Sequence, residues 1–143
     1  MINSPFITIY NHSSPKIKSC QDPKMQYNYF MNKGGPIWVL VNCNSDDEGK
    51  KIGKEILRMR LAGCFDIFPR KLAQYFWPPK SGKTKMATGC LLIIETMANK
   101  YKALFKVVKR LHSDELPFIG YIEIKGVSKK YSSWIENETS SSY

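Results

Sequence analysis

Long apolar runs are missing from this chain of 143 residues. None approaches the roughly 20 consecutive apolar residues that a membrane-spanning helix needs, which excludes a helical membrane protein. The start has neither the basic segment and apolar stretch of a secretory signal nor the arginines of a transit peptide, and the expectation is a cytoplasmic protein. Histidine is scarce, with His12 and His112 only, which leaves general acid–base catalysis few candidates. The four cysteines, Cys20, Cys43, Cys64 and Cys90, show no C-x-x-C spacing. Such thiols in a cytoplasmic chain are expected to be free rather than a disulfide framework. Acidic residues number 12 against 22 Lys and Arg, a net charge of +10. That balance attracts nucleic acid non-specifically, but a solvated lysine surface is the favoured reading of it.

Residues 1–35 are rich in Asn, Ser, Pro, Lys and Tyr without a sustained period, and are expected to form a poorly ordered extension. Met25 and Met31 sit near its end and leave the start codon open. Residues 36–143 are expected to form one folded domain. Ile37-Trp-Val-Leu-Val41 reads as a central strand buried on both faces. Ser45-x-x-Glu48 is a capping-box pattern, and Ile52, Ile56, Met59 and Leu61 follow near helical spacing, with Gly63 as the stop. Phe65 and Ile67 then alternate with Asp66 as in a strand. A long hairpin is expected through Tyr75-Phe-Trp77 and the charged tip Pro78–Lys85, returning through Leu91-Leu-Ile-Ile94. Tyr101, Leu104, Phe105, Val108 and Leu111 mark a second helix, with Asn99 as its cap. Phe118–Ile124 reads as a fourth strand, and Tyr131, Trp134 and Ile135 as one face of a short last helix. Trp38, Trp134 and Tyr131 are expected in the core, and Thr139–Tyr143 is expected to fray. The resulting plan is α+β, a ferredoxin-like βαββαβ sandwich with a long β2–β3 hairpin and a short C-terminal helix. Both helices cover one face of the sheet, and the bare face calls for a cover from other subunits.

The chemistry-bearing residues are few. Cys43 ends the first strand and His112 the second helix, and the topology brings both to one edge of the sheet. A thiolate with an imidazole suits Cu(I) or Zn(II). Asp114, Glu115 or a neighbouring subunit could complete the set. Cys64 is the third candidate metal ligand. It opens the second strand at the opposite end of the sheet from Cys43, so a disulfide between the two is not expected. Cys64 and Cys90 also read as small buried hydrophobes. Gly82-Lys83-Thr84 is not a P-loop, because the motif's first glycine would fall on Trp77 and the segment lies inside a hairpin. Tyr75, Phe76 and Trp77 read as packing at a subunit seam.

Taken together, several segments resemble the CutA divalent-cation-tolerance family. Leu61-Ala-Gly-Cys-Phe-Asp-Ile67 resembles its L-A-A-C-x-N-I, Tyr75-Phe-Trp77 its Y-W-W and Gly82-Lys83 its G-K. Leu91-Leu-Ile-Ile-Glu-Thr96 is similar to L-L-I-I-K-T. Leu111-His112 with Glu115-Leu-Pro117 resembles H-P-Y-E-V-P, and Tyr131-x-x-Trp134-Ile135 the closing Y-L-x-W. The resemblance spans Ile37 to Glu138. It implies a homotrimer with the open sheet faces packed inward, and binding of divalent metal ions, copper above all, by a protein that is not an enzyme. It also implies an inter-subunit cleft, to which Tyr75, Trp77, Lys83 and Glu115 are assigned. Ser113, Asp114 and Phe118 depart from the family pattern at that cleft, and the hairpin tip carries about three extra residues, as surface loops tolerate. The alternative on the same fold is a basic RNA-binding module, but Thr88–Ile94 offers no stacking ring on the third strand. An acylphosphatase-like enzyme would need an arginine after the first strand, where Asn42–Asp47 carries negative charge instead.

Overall fold

The structure, a computed structural model, describes residues 34–140. The N-terminal extension, with Cys20 and His12, lies outside the described residues. The elements follow the expected order: β1 (Pro36–Cys43), α1 (Asp46–Arg58), β2 (Cys64–Phe76), β3 (Thr84–Met97), α2 (Tyr101–Leu111), β4 (Ile119–Glu123) and α3 (Lys129–Thr139). The four strands form one antiparallel sheet in the order β2-β3-β1-β4. This is the split β-α-β plan.

Alternation along each strand decides which side chains meet the helices. Ile37, Val39, Val41 and Cys43 of β1 and Cys90, Leu92 and Ile94 of β3 are fully buried beneath α1 and α2, with Ile52, Ile56, Leu104 and Val108 above them. Phe65 and Ile67 of β2 pack against the same cluster, as their alternation predicts. Close approach of α1 to β2 depends on Gly53, where a Cβ would sit 2.6 Å from the Phe65 ring. Thr96 is buried without loss, since its hydroxyl donates to the Leu61 carbonyl at 2.6 Å.

The opposite face tells a different story. Trp38, Leu40, Leu91, Ile93, Ile122 and Phe68 occupy the alternate positions, and Phe68 and Ile122 are about half exposed (51% and 46%). β1 is therefore central in the sheet but, among the described residues, buried on one face only. Trp38 likewise is not core but 37% exposed, as are Trp134 at 38% and Tyr131 at 41%. Apolar periodicity identified these side chains as face residues; the described residues do not cover the face.

Several element ends also differ from expectation. Helix α1 stops at Arg58, with Met59 as its exposed cap and Arg60 in the left-handed region at φ 55°. The backbone turns there before Gly63 is reached. Gly63 instead lies under Trp134, whose ring is 3.3 Å from where a Cβ would be. Asn99 sits in a 3-10 turn, Ala98–Lys100, so Lys100 rather than Asn99 flanks α2, and no side chain caps it. Val107, not Phe105, completes the buried stripe of α2. β4 begins after Phe118, which is exposed. Thr139 does not fray: it is buried in the last turn of α3 and donates to the Ile135 carbonyl at 2.9 Å. Residues 141–143 lie outside the described residues.

The hairpin outruns the sheet. β2 and β3 pair from Cys64↔Glu95 to Arg70↔Gly89, break register between Arg70 and Ala73, and resume from Ala73↔Ala87 to Phe76↔Thr84. β1 pairs with β3 no further than Cys90. Beyond that rung the hairpin is a two-stranded ribbon, and Leu72, Phe76 and Met86 stand well exposed on it. Helix α3 closes the other end of the sheet. Ile135 is its buried anchor, Tyr131 and Trp134 pack with ring centroids 5.2 Å apart, and Arg60 pairs with Glu138 at 2.5 Å.

Candidate functional site

The capping box and the end of α2 converge. Ser45 caps α1 by accepting from the Glu48 N–H at 3.1 Å. The Glu48 side chain turns back over the helix start, accepting from Asn44 N–H at 2.6 Å and from Ser113 N–H at 2.7 Å. That second bond ties α1 to the loop after α2. His112 lies beside it, its Nε2 2.8 Å from the Asn42 carbonyl and its Nδ1 accepting from Asp114 N–H at 3.0 Å. This pattern fits the tautomer with its proton on Nε2. Asn44 completes the joint by donating to Ser113 and Asp114 at 3.0 and 2.9 Å.

Cys43, Glu48 and His112 thus offer one sulfur, one carboxylate oxygen and one ring nitrogen, all within 4.8 Å of one another. Cys43 and His112 meet at one sheet edge as the topology predicts. Glu48 was missed as a donor, although a Glu at the third position of a helix aims back toward the preceding strand end. Burial, the neighbouring Cys90 and Glu48 push the Cys43 thiol up to about 12. Burial also opposes ionisation of Glu48, but the Asn44 and Ser113 donors outweigh it and hold the carboxyl below its ordinary range.

Cys64 does not join this group. Cys43 pairs with Cys90 and Cys64 with Glu95, a separation of five residues along β3, or about 17 Å. Cys64 instead forms a second donor group with Asp66 and Glu95 on the open face, again within 4.8 Å of one another. The Tyr131 hydroxyl donates to Glu95 there. Burial, then Glu95, raises the Cys64 thiol to about 11. Only knowledge of strand register could have united Cys64 with Glu95.

Three of the four residues assigned to the inter-subunit cleft line one cavity within the chain. Tyr75 and Trp77 of the hairpin and Glu115 of the α2–β4 loop line a cavity of about 450 Å³, with Lys85, Asp114 and Leu116. Lys83 is not among its walls; it sits at the hairpin tip, where its carbonyl accepts from Trp77 N–H at 2.9 Å. No helix among the described residues is long and apolar enough to cross a membrane.

Comparison with known proteins adds to this geometry. Residues 37–138 match the family model of the CutA1 divalent ion tolerance protein. A CutA homolog of Danio rerio is 33% identical over 97 residues, 68% of this chain and 63% of the relative. The divalent-cation tolerance protein CutA of Archaeoglobus fulgidus is 32% identical over 99 residues, 69% of this chain and 93% of the relative. The match thus covers less than two thirds of the fish protein but nearly all of the archaeal one. Among solved structures, periplasmic CutA of Archaeoglobus fulgidus superposes with a TM-score of 0.69 at 28% identity, covering 73% of this chain and 99% of that one. CutA1 of Oryza sativa gives 0.69 at 33% identity, covering 75% and 95%. With strand order, helix placement and residues 37–138 all in agreement, this chain belongs to the CutA1 divalent ion tolerance family.

Proposed function

We propose that the chain works as a homotrimer that binds divalent metal ions, copper above all, without catalysing a reaction, and that Cys43, Glu48 and His112 hold the ion. The observation that carries this reading is the convergence of those three donors within 4.8 Å. A thiolate and an imidazole favour copper or zinc over magnesium or calcium, and copper stands highest among first-row divalent ions. Donors around such an ion stand about 3.5 Å apart, close to the 3.8 Å between His112 Nδ1 and the Glu48 carboxylate in this structure. The cost is local: an ion at Nδ1 of His112 displaces the Asp114 N–H now bonded there. The trimer is supported by the sheet face that the described residues leave bare, where Trp38, Phe68 and Ile122 stand exposed, since an exposed apolar face marks an interaction surface.

The test is copper affinity of the full chain by competition with a chelator, alongside mass by light scattering with and without copper. Cys43→Ala is expected to weaken copper binding at least about tenfold while leaving a trimer. Unchanged affinity in both Cys43→Ala and His112→Ala would overturn the site. A monomer with and without copper would overturn the assembly.

A further inference from the structure

We propose that Cys43 and Cys90 form a redox-active dithiol that closes to a cross-strand disulfide when cupric ions bind beside it, releasing the copper as Cu(I). The inference rests on the copper-binding reading above and adds a reaction to it. The two cysteines face each other on the last rung of the β1–β3 ladder. Directly opposed residues of an antiparallel pair have Cα atoms about 4.5–5.5 Å apart, inside the window a disulfide requires. Both side chains are buried on the helix face of the sheet, so they project to the same side. The strands press together here. At Gly89, one residue before Cys90, a Cβ would lie 2.2 Å from the Cys43 carbonyl oxygen.

Polar groups close over the rung from β2 and from the start of α1. Arg70 reaches over from β2, its Nη2 donating to the Cys43 carbonyl at 3.3 Å and to the Thr88 carbonyl at 3.4 Å. Its Nε is buried without a hydrogen-bond partner. The Cys90 thiol now donates to the Ser45 carbonyl at 3.3 Å. Because the rung is the last of its ladder, opening it requires fraying of one strand end, not unfolding of the sheet.

The reaction balances as follows. Two thiols lose two electrons and two protons, and one S–S bond forms. Two Cu(II) ions each gain one electron and become Cu(I). The protons pass to solvent, with the Glu48 carboxylate, within 4.8 Å of the Cys43 sulfur, as the nearest acceptor. Closing the disulfide removes Cys43 from the donor set, so the reduced ion leaves. Cys64 has no access to this exchange within the chain, being five residues away along β3.

The reduced full chain is mixed anaerobically with Cu(II), Cu(I) is read with a bathocuproine chelator, and cysteines are mapped by alkylation and peptide mass. The expected yield is about two Cu(I) per chain with a Cys43–Cys90 linked peptide, falling at least about fivefold in Cys90→Ser. A second arm uses diamide, a metal-free azo oxidant, on the wild-type chain. Thiols at Cys43 and Cys90 that survive diamide would show that the pair cannot close, and would overturn the inference whatever copper does. If diamide links the pair but Cu(II) binds and stays cupric, the inference falls and the copper-binding reading stands. If copper does not bind at all, both fall. A disulfide through Cys20 or Cys64 in place of this pair also overturns it.

Discussion

At the scale of single residues, Glu48 does the work of three contacts. It closes the helix cap, fastens the loop after α2 and stands among the metal donors. Its carboxyl is held below the ordinary value of 4.5 in the folded chain. A group depressed in this way contributes stability that is complete above its unfolded value and is lost as pH falls through the folded one. Glu48→Gln is therefore expected to be less stable than wild type at neutral pH, with the gap narrowing below about pH 4.5. Urea unfolding at pH 7 and at pH 3.5 measures both ends of that window. Gly53→Ala makes a separate prediction. With 2.6 Å between the new Cβ and the Phe65 ring, the ring or the helix must shift, at a cost of about 1–3 kcal/mol in urea unfolding.

At the scale of elements, much was legible. The alternation of Phe65, Asp66 and Ile67 fixed the face of β2, and the spacing of Ile52 with Ile56 and of Leu104 with Val108 fixed the buried stripes of α1 and α2. Chain order alone then brought Cys43 to His112, because strand ends and helix ends alternate predictably in this topology. The rest was hidden for physical reasons. Periodicity says which face of an element is apolar, not whether the same chain covers it, and so Trp38, Tyr131 and Trp134 were misplaced in the core. The end of α1 depended on Arg60 adopting a left-handed turn that glycine more commonly takes. Cross-strand partners such as Cys64 and Glu95 depend on register, which no local pattern encodes. Helix α3 illustrates the point. Its Ile135 is buried and its Thr139 bonds back to it. Ile135→Ala is expected to cost about 2–4 kcal/mol and to release Trp134 from Gly63, visible as a red shift in tryptophan emission.

At the scale of the whole molecule, the bare sheet face governs behaviour. Ile93 lies at its middle, paired with Leu40 on one side and Asp66 on the other. Ile93→Glu places a charge where a neighbouring subunit would exclude water, which costs far more than a surface substitution. The expected outcome is a folded chain, by far-ultraviolet circular dichroism, that light scattering reports as a monomer. A trimer of unchanged mass would place the subunit contact elsewhere.

The outer ribbon of the hairpin carries a consequence for concentration. Past the Cys43–Cys90 rung, β2 and β3 pair only with each other among the described residues. A two-stranded ribbon of this kind is marginal in water, yet it bears Leu72, Phe76 and Met86. A dilute chain thus carries exposed apolar side chains on a weakly supported segment. If the proposed trimer covers these residues, sister chains and other apolar surfaces compete for them, and abundance decides between the two. Amide exchange across Ala73–Phe76 and Thr84–Ala87 is expected to slow as the protein is concentrated, while exchange in Val39–Val41 stays constant.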